Sequence, residues 1–187
     1  MTLDDTQWPR FQVFKQDRPD LPFENAGSVH APDAEMALQN ARDVFVRRPE
    51  CSGLWVVLAD EIHAGPAVAG EGSGEERQDT SRGTIEPYLA FQKREQRGTH
   101  VYRGTVEASN PTQALSLARS TLTEPDGPGL VWWVCAARSV LRNDPQEAES
   151  MFEPARGKLY RQPSFYRTDS LMRAIKARKR REKGTSQ

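Results

Sequence analysis

Two continuous apolar runs decide the fold: Leu54-Trp-Val-Val-Leu-Ala59 and Leu130-Val-Trp-Trp-Val-Cys-Ala136. Runs of this length, rich in Val and Trp, are typical of strands that lie in the middle of a sheet with both faces covered. Each run comes shortly after a segment in which apolar residues recur at helical spacing. The similarity of the two runs suggests that the chain contains one structural unit twice.

Self-comparison of the sequence supports a duplication. A shift of 77 residues aligns 11–62 with 88–139 without a gap and makes eleven positions identical, whereas ordinary composition would give about three. The identical pairs are Phe14/Phe91, Gly27/Gly104, Val29/Val106, Ala31/Ala108, Ala37/Ala114, Leu38/Leu115, Ala41/Ala118, Arg42/Arg119, Trp55/Trp132, Val57/Val134 and Ala59/Ala136. We therefore predict two copies of one unit.

Each copy is predicted to have the order β-β-α-β. Strands are predicted at 11–14, 27–31, 88–91 and 104–108, before the two apolar runs. Asp33 and Asn110 are the predicted helix N-caps, and Pro111 suits the first helical position. The helices are expected to end near Arg47 and Leu122. Since a unit of roughly 50 residues buries too little surface alone, we expect an α+β fold in which two tandem units pack as a pseudo-dimer.

The rest of the chain divides around these units. The predicted segments are a first unit at 8–63, a flexible acidic linker at 64–87, a second unit at 88–142, an extended aromatic arm at 143–166, and a basic tail at 167–187. The tail can form a helix with Leu171, Met172 and Ile175 on one side. No apolar run is long enough for a membrane span, and the first residues lack the features of a signal peptide. We therefore expect a cytoplasmic protein without a membrane partner.

The formal net charge of zero hides an uneven distribution. Residues 1–166 carry a net charge of −6 and residues 167–187 a net charge of +6. The acidic body argues against a nucleic-acid partner, because it would repel the phosphates that the tail attracts. Three interpretations of the tail remain open. It is a solvated end, a segment that docks on an acidic protein surface, or a segment that binds nucleic acid or lipid headgroups.

The residues that could carry chemistry form no recognised pattern. Cys51 and Cys135 lack CxxC spacing and are interpreted as free thiols. No Glu-x-x-His, HExxH, GxSxG or Walker A pattern occurs. We therefore expect no catalytic, cofactor-binding or metal-binding residue and no cofactor in this chain. Trp132 and Trp133 are predicted to alternate across a strand, with a protein partner as a candidate cover for the outward ring.

Several stretches resemble one known family. They are Trp8-Pro-Arg-Phe-Gln-Val-Phe14, Gly27-Ser-Val-His-Ala-Pro-Asp33, Met36-Ala-Leu-Gln-Asn-Ala-Arg-Asp43, Leu54-Trp-Val-Val57 and Lys158-Leu-Tyr-Arg-Gln-Pro-Ser-Phe-Tyr166. Together they resemble the B subunit of phenylacetyl-CoA epoxidase, the PaaB family, over most of 8–62 and 151–166. Members of that family usually hold one unit, whereas this chain holds two, with the second copy inserted before the family's closing segment.

The resemblance implies a non-catalytic role. In that family the catalytic A subunit holds a di-iron centre, the C subunit is its structural partner, and a reductase supplies electrons from NADPH. The small B subunit bridges the A–C pairs during epoxidation of the aromatic ring of phenylacetyl-CoA with O2. The expected partners of this chain are therefore the A and C subunits, with the reductase as a further candidate.

Candidate contact residues lie in two aromatic segments, the N-terminal one and the terminal arm. An extended aromatic arm with too few residues for its own core is best explained by docking on another chain. The candidates are Trp8, Phe11, Tyr160, Arg161, Pro163, Phe165 and Tyr166. The alternative function is that of a free-standing duplicated αβ domain, which would bind a small ligand or serve as a regulatory binding domain. That alternative requires a pocket between the copies with convergent polar side chains.

Overall fold

The computed structural model describes residues 8–46, 51–67, 84–122, 127, 129–157, 170 and 172–178. The fold is α+β, with an antiparallel sheet. The strands are β1 (Arg10–Gln16), β2 (Glu24–His30), β3 (Gly53–Leu58), β4 (His63–Pro66), β5 (Glu86–Lys93), β6 (His100–Ala108), β7 (Val131–Ala136) and β8 (Val140–Arg142). The helices are α1 (Ala34–Phe45), α2 (Pro111–Thr121) and α3 (Ala148–Gly157). We call β1, β2, α1 and β3 the first half, and β5, β6, α2 and β7 the second half.

The predicted N-caps of α1 and α2 are confirmed. The Asp33 side chain accepts a hydrogen bond from the backbone N–H of Met36 at 2.7 Å. The Asn110 side chain accepts one from the backbone N–H of Gln113 at 2.8 Å. These bonds satisfy backbone donors that the first helical turn leaves free. Both helices bury the same kind of stripe against the sheet, made by Ala37, Leu38 and Ala41 in α1 and by Ala114, Leu115 and Ala118 in α2.

The sheet order is β4-β7-β5-β6-β2-β1-β3-β8, with every neighbouring pair antiparallel. The two halves contribute the adjoining blocks β7-β5-β6 and β2-β1-β3. Each outer strand crosses over: β4 follows the first half in the chain but pairs with β7, and β8 follows the second half but pairs with β3. Each half is thus completed by a strand that comes from the end of the other.

The sheet is strongly curled. Strands β5 and β1 are separated by β6 and β2, so in a flat sheet they would lie about 14 Å apart. Nevertheless, the rings of Phe14 and Phe91 stack with their centroids 4.0 Å apart. The inner face of the curled sheet therefore closes on a central cluster, while α1 and α2 pack on the outer face. The buried members of the central cluster are Phe14, Val57, Leu89, Phe91, Cys135 and Val140.

The ungapped alignment of the two copies holds through the helices and is wrong by one residue beyond them. A bulge follows Val13 in β1 and Ala90 in β5, which the 77-residue shift makes equivalent. In the third strands, however, Val13 faces Val56 whereas Ala90 faces Val134, a shift of 78. The predicted pairs Trp55/Trp132, Val57/Val134 and Ala59/Ala136 are therefore incorrect. One extra residue precedes β7. With the resulting shift of 78, Trp133 is the counterpart of Trp55.

Part of the predicted linker at 64–87 belongs to the sheet. Strand β4 spans His63–Pro66, Ala67 is buried in the core of the second half, and β5 begins at Glu86. The Arg119 side chain fixes β4 by donating to the carbonyl oxygen of Pro66 at 2.8 Å. The residues of β4, His-Ala-Gly-Pro, show no apolar alternation, so local periodicity does not reveal this strand. Residues 68–83 lie outside the described part of the chain.

The predicted extended arm at 143–166 contains helix α3 instead. Before this helix the Asp144 carboxylate accepts from the backbone N–H of Gln146 at 2.8 Å. The helix buries Phe152 and Ala155 in the core of the first half. Pro154, which is unfavourable inside a helix, lies within it and weakens the helical signal in the sequence.

The described part of the tail is helical, as predicted. Residues 172–178 are exposed throughout, Met172 and Ile175 included. Leu171 lies outside the described residues. In the described part of the chain, none of the helices has the length and apolar character required to cross a membrane.

Candidate partner-binding surface

The predicted contact residues differ in their exposure to solvent, and some lie outside the described residues. Trp8 is 60% exposed just before β1, and its counterpart in the second half, Ile85, is 69% exposed just before β5. Phe11 is only 6% exposed and packs in the core of the first half. It therefore stabilises the fold and is not a surface contact. The remaining candidates, Tyr160, Arg161, Pro163, Phe165 and Tyr166, lie outside the described residues.

The two adjacent tryptophans point to opposite faces, as predicted, but the outward ring has a cover within the chain. Trp132 is fully buried against α2. Trp133 faces the inside of the curled sheet, where its ring stacks on His100 with centroids 3.4 Å apart and planes 12° apart. A protein partner is therefore not needed to cover it. In the first half, Phe23 stacks on Trp55 in the same place, at 3.7 Å and 18°.

A cleft of about 850 Å³ lies between β3 and α3. The stacked rings of Phe23 and Trp55 form part of its wall, and the guanidinium carbon of Arg142 lies 4.8 Å from the centroid of the Trp55 ring. Such a contact is a cation–π interaction. The lining residues are Gln16, Pro19, Phe23, Cys51, Ser52, Gly53, Trp55, Arg142, Asn143, Pro145, Ala148, Glu149 and Phe152.

The cleft exists because β8 and α3 cross to the first half. Asn143 is buried and fixes this crossing: its Oδ1 accepts from the backbone N–H of Leu54 at 2.6 Å, and its own backbone N–H donates to the Leu54 carbonyl at 3.1 Å. Phe152, four residues into α3, then anchors the helix in the core. One wall of the cleft thus comes from the first half and the other from the last described segments of the body. Sequence reasoning missed this cleft, because Trp55 and Arg142 are 87 positions apart.

The ionisable groups at these packed positions favour their neutral forms. Burial raises the pKa of the Cys51 thiol to about 11, although Lys15 nearby acts in the opposite direction. Burial likewise raises the pKa of Cys135 to about 12. Burial and the positive charge of Lys93 lower the pKa of His100 to about 4. At neutral pH both thiols are therefore protonated and the His100 ring is uncharged.

The lining of the cleft is suited to the binding of an apolar group. Most of its lining is apolar or aromatic, and Cys51, its one thiol among the described residues, is a poor nucleophile while protonated. Within the described ranges, no three His, Cys, Asp or Glu side chains are grouped as a metal site. An open apolar cleft with a cation held over an aromatic ring can accept an apolar side chain from another protein.

Comparison with known proteins gives two matches. The sequence profile of the family described as Phenylacetic acid degradation B (PaaB) matches residues 7–73 and again residues 85–173. The B subunit of 1,2-phenylacetyl-CoA epoxidase from Escherichia coli (strain K12) is 43% identical over 70 residues, which make up 37% of this chain and 74% of that protein. No solved structure matches the chain significantly.

Proposed function

This chain belongs to the PaaB family, and from that membership we propose that it is a non-catalytic, bridging subunit of a di-iron monooxygenase that epoxidises the ring of phenylacetyl-CoA. The observation that carries this proposal is the double match of the family profile, which covers both halves and α3. The E. coli relative is named as one subunit of an epoxidase, and a subunit requires partners.

The packing of the ionisable groups supports a binding role. His100, Cys51 and Cys135 are held in their neutral forms by burial. His100 lies in β6 and Cys135 in β7, whereas Cys51 lines the cleft. A general base or a nucleophile would instead need a pKa close to the working pH and access to a substrate. We therefore assign the chemistry to another chain, the catalytic A subunit.

We place the partner contacts at the arm and the N-terminal aromatic residue. The arm residues Tyr160, Arg161, Pro163, Phe165 and Tyr166 follow directly after α3, which Phe152 anchors in the core. The helix that ends directly before these residues is therefore fixed to the body beside the cleft. Trp8, with 60% of its surface exposed, offers a second large apolar contact. Large aromatic side chains of this kind dominate the binding energy of many interfaces.

We also propose that the two halves form a covalent pseudo-dimer. The reciprocal crossing of β4 and β8 supports this, as does the stacking of the equivalent residues Phe14 and Phe91. The E. coli relative matches the chain over only 70 residues. A single unit alone would expose the central cluster and leave its β3 edge without a partner, so a second copy would have to complete it.

The alternative, a free-standing ligand-binding domain, finds no support in the contact between the halves. It requires a polar pocket there. The described residues at that place are instead the tightly packed central cluster, in which Phe14, Phe91 and Cys135 are at most 1% exposed.

Co-expression tests the proposed function directly. The chain is produced with the A and C subunits from the same source, and the complex is purified through a tag on the A subunit. We expect the full chain to co-purify in a fixed ratio, and a variant that ends at residue 157 to co-purify less. An A–C complex that leaves the full chain behind, while the chain alone remains folded, would contradict the proposal.

A further inference from the structure

We propose that the basic helix in the tail binds the acidic body of a second copy of this chain, in a groove between α1 and α3, so that two copies exchange their tails. The tail helix is the helical segment described at residues 170 and 172–178. The inference goes beyond the proposed function and does not depend on it, because it concerns the contact of this chain with itself.

The tail helix presents apolar and basic side chains to solvent. Met172 is 51% exposed and Ile175 is 44% exposed. Helical spacing places Ile175 and Lys176 one turn after Met172, so the apolar pair and an ammonium group share one side of the helix. Arg173 lies one turn before Lys176, and like charges at this spacing repel each other. An acidic surface with an apolar floor would relieve this repulsion and cover the apolar pair.

The body of the chain has the complementary charge. Residues 173–183 carry seven basic and one acidic side chain, whereas residues 1–166 have a net charge of −6. Because the whole chain has a net charge of zero, copies do not repel each other through their total charge. Residues 172–178 are exposed throughout, so their own body does not cover them. Residues 158–171, which join them to α3, can reach up to about 50 Å. The fitting surface therefore belongs to a second copy.

A groove of about 430 Å³ between α1 and the β8–α3 segment has the required character. Its apolar floor is formed by Leu38, Leu141 and Met151. Glu35 and Glu147 also line it, and both are exposed. Neither carboxylate forms an ion pair with another residue in the described ranges. The groove can thus accept Met172 and Ile175 while Arg173 and Lys176 pair with its carboxylates.

The other charged groups of the groove do not cancel this complementarity. Arg42 lies 3.3 Å from the carboxylate of Asp43, and the guanidinium of Arg142 lies over the Trp55 ring. Asp144 adds a third carboxylate to the lining. With Asp43 included, four carboxylates face two guanidinium groups.

The corresponding face of the second half differs in charge. Thr112 corresponds to Glu35 under the shift of 77. Ala64, which pairs with Trp133, corresponds to Arg142, which pairs with Trp55. The carboxylate of Glu35 therefore has no counterpart there, and we place the binding on the first half.

Nucleic acid and membranes fit the tail helix less well than a protein groove. Phosphates offer nothing to Met172 and Ile175, and the acidic body would be repelled by the same phosphates. Two apolar side chains also bury too little surface for a stable hold on a bilayer. A groove with an apolar floor and carboxylates satisfies both kinds of side chain.

Sedimentation velocity of the full chain alone at about 100 μM tests the association. We expect dimers at about 0.1 M salt and monomers at about 1 M salt, where the Debye length falls from about 10 Å to about 3 Å. Deletion of 168–187 should give monomers at both. A full chain that is monomeric at low salt, or a deleted chain that still dimerises, would overturn the inference. A monomeric chain that binds phosphatidylserine vesicles or a DNA duplex through its tail would also overturn it.

A matched pair of variants tests the location. Glu147→Lys and Glu107→Lys change the net charge equally, but Glu107 lies on β6 in the second half. We expect Glu147→Lys to weaken dimerisation at least about tenfold and Glu107→Lys to leave it unchanged. Lys176→Glu should weaken it as well, and its combination with Glu147→Lys should restore it. Equal effects of Glu147→Lys and Glu107→Lys, or no recovery in the combination, would overturn the inference. If Glu147→Lys does not fold, Glu35→Lys takes its place.

Discussion

Phe14 and Phe91 stack ring on ring, 4.0 Å apart, although each occupies the same position in a different half of the chain. Each follows the bulge in the central strand of its half, and each is buried almost completely. Because the two rings belong to one cluster, neither half has a complete inner core of its own. The halves should therefore unfold together.

Alanine substitutions of the two rings test this shared core. We expect Phe14→Ala and Phe91→Ala each to lower the free energy of unfolding by about 3–5 kcal/mol, since each leaves a large cavity. The double variant should lose less than the sum of the two, because the second ring has already lost its stacking partner. Urea titration followed by tryptophan fluorescence and circular dichroism measures both effects. The control Trp8→Ala removes an exposed ring and should change stability by less than about 0.5 kcal/mol.

Two separate transitions in urea would contradict the shared core. So would strict additivity of the two substitutions, since equivalent but independent sites would not interact.

Asn143 should be important for the crossing of β8 onto the first half. We expect Asn143→Ala to destabilise the fold by about 1–3 kcal/mol, because the buried N–H of Leu54 loses its acceptor. Hydrogen exchange at the Leu54 amide should speed up with it. Gln146→Ala, at an exposed position three residues later, serves as the control and should leave both measurements unchanged. Faster exchange of the Leu54 amide in Gln146→Ala as well would contradict a specific role of the Asn143 side chain. It would show that any substitution near β8 weakens the pairing of β8 with β3.

The His100–Trp133 stack should make stability depend on pH. Since the pKa of His100 is about 4 in the folded chain and near 6.5 when unfolded, the unfolded state binds more protons between these values. Stability contributed by the neutral ring is therefore fully present above about pH 7 and lost as the pH falls toward 4. The loss is at most about 3 kcal/mol. His100→Phe, which copies Phe23 of the first half, should remove it.

Urea midpoints of the wild type and His100→Phe at about pH 7.5 and about pH 4.5 measure this difference. Other groups affect both proteins alike, so only the difference between them reports on His100. Parallel losses in the two proteins would show that His100 already titrates normally in the folded chain.

Removal of the basic tail should leave the body intact. Residues 172–178 are exposed throughout, so deletion of 168–187 breaks no described core contact. We expect an unchanged melting temperature by circular dichroism. Deletion of 143–187 removes Asn143 and Phe152 as well and should cause a large loss of stability. A collapsed transition in the shorter deletion would show that the tail belongs to the core.

Local features of the fold were predictable from the sequence. Asp33 and Asn110 cap the helices as expected, because capping depends on a few adjacent residues. The apolar run that begins at Leu54 forms most of β3, because a continuous run of buried residues is also a local pattern. The crossing strands were not predictable, since β4 and β8 are four and three residues long and pair with strands from the other half. Their pairing depends on long-range contacts that short periodic patterns do not encode.

The cleft was missed for a related reason. Its rings, its cation and its helix come from Phe23, Trp55, Arg142 and α3, which meet only after β8 has crossed. The off-by-one error in the repeat has a different origin: an insertion in a loop is invisible to an ungapped comparison when neighbouring tryptophans and valines allow either register.

The covalent join between the halves also changes how the molecule can evolve. In a dimer of identical subunits every substitution appears on both sides of the symmetry axis, so a change that harms one site harms its twin. In a fused chain, His100 can differ from Phe23 and Ala64 from Arg142 while the opposite side is untouched. In the proposed pseudo-dimer the association of the halves is intramolecular and therefore independent of protein concentration. One half is then free to drift, and the other can remain under the original selection.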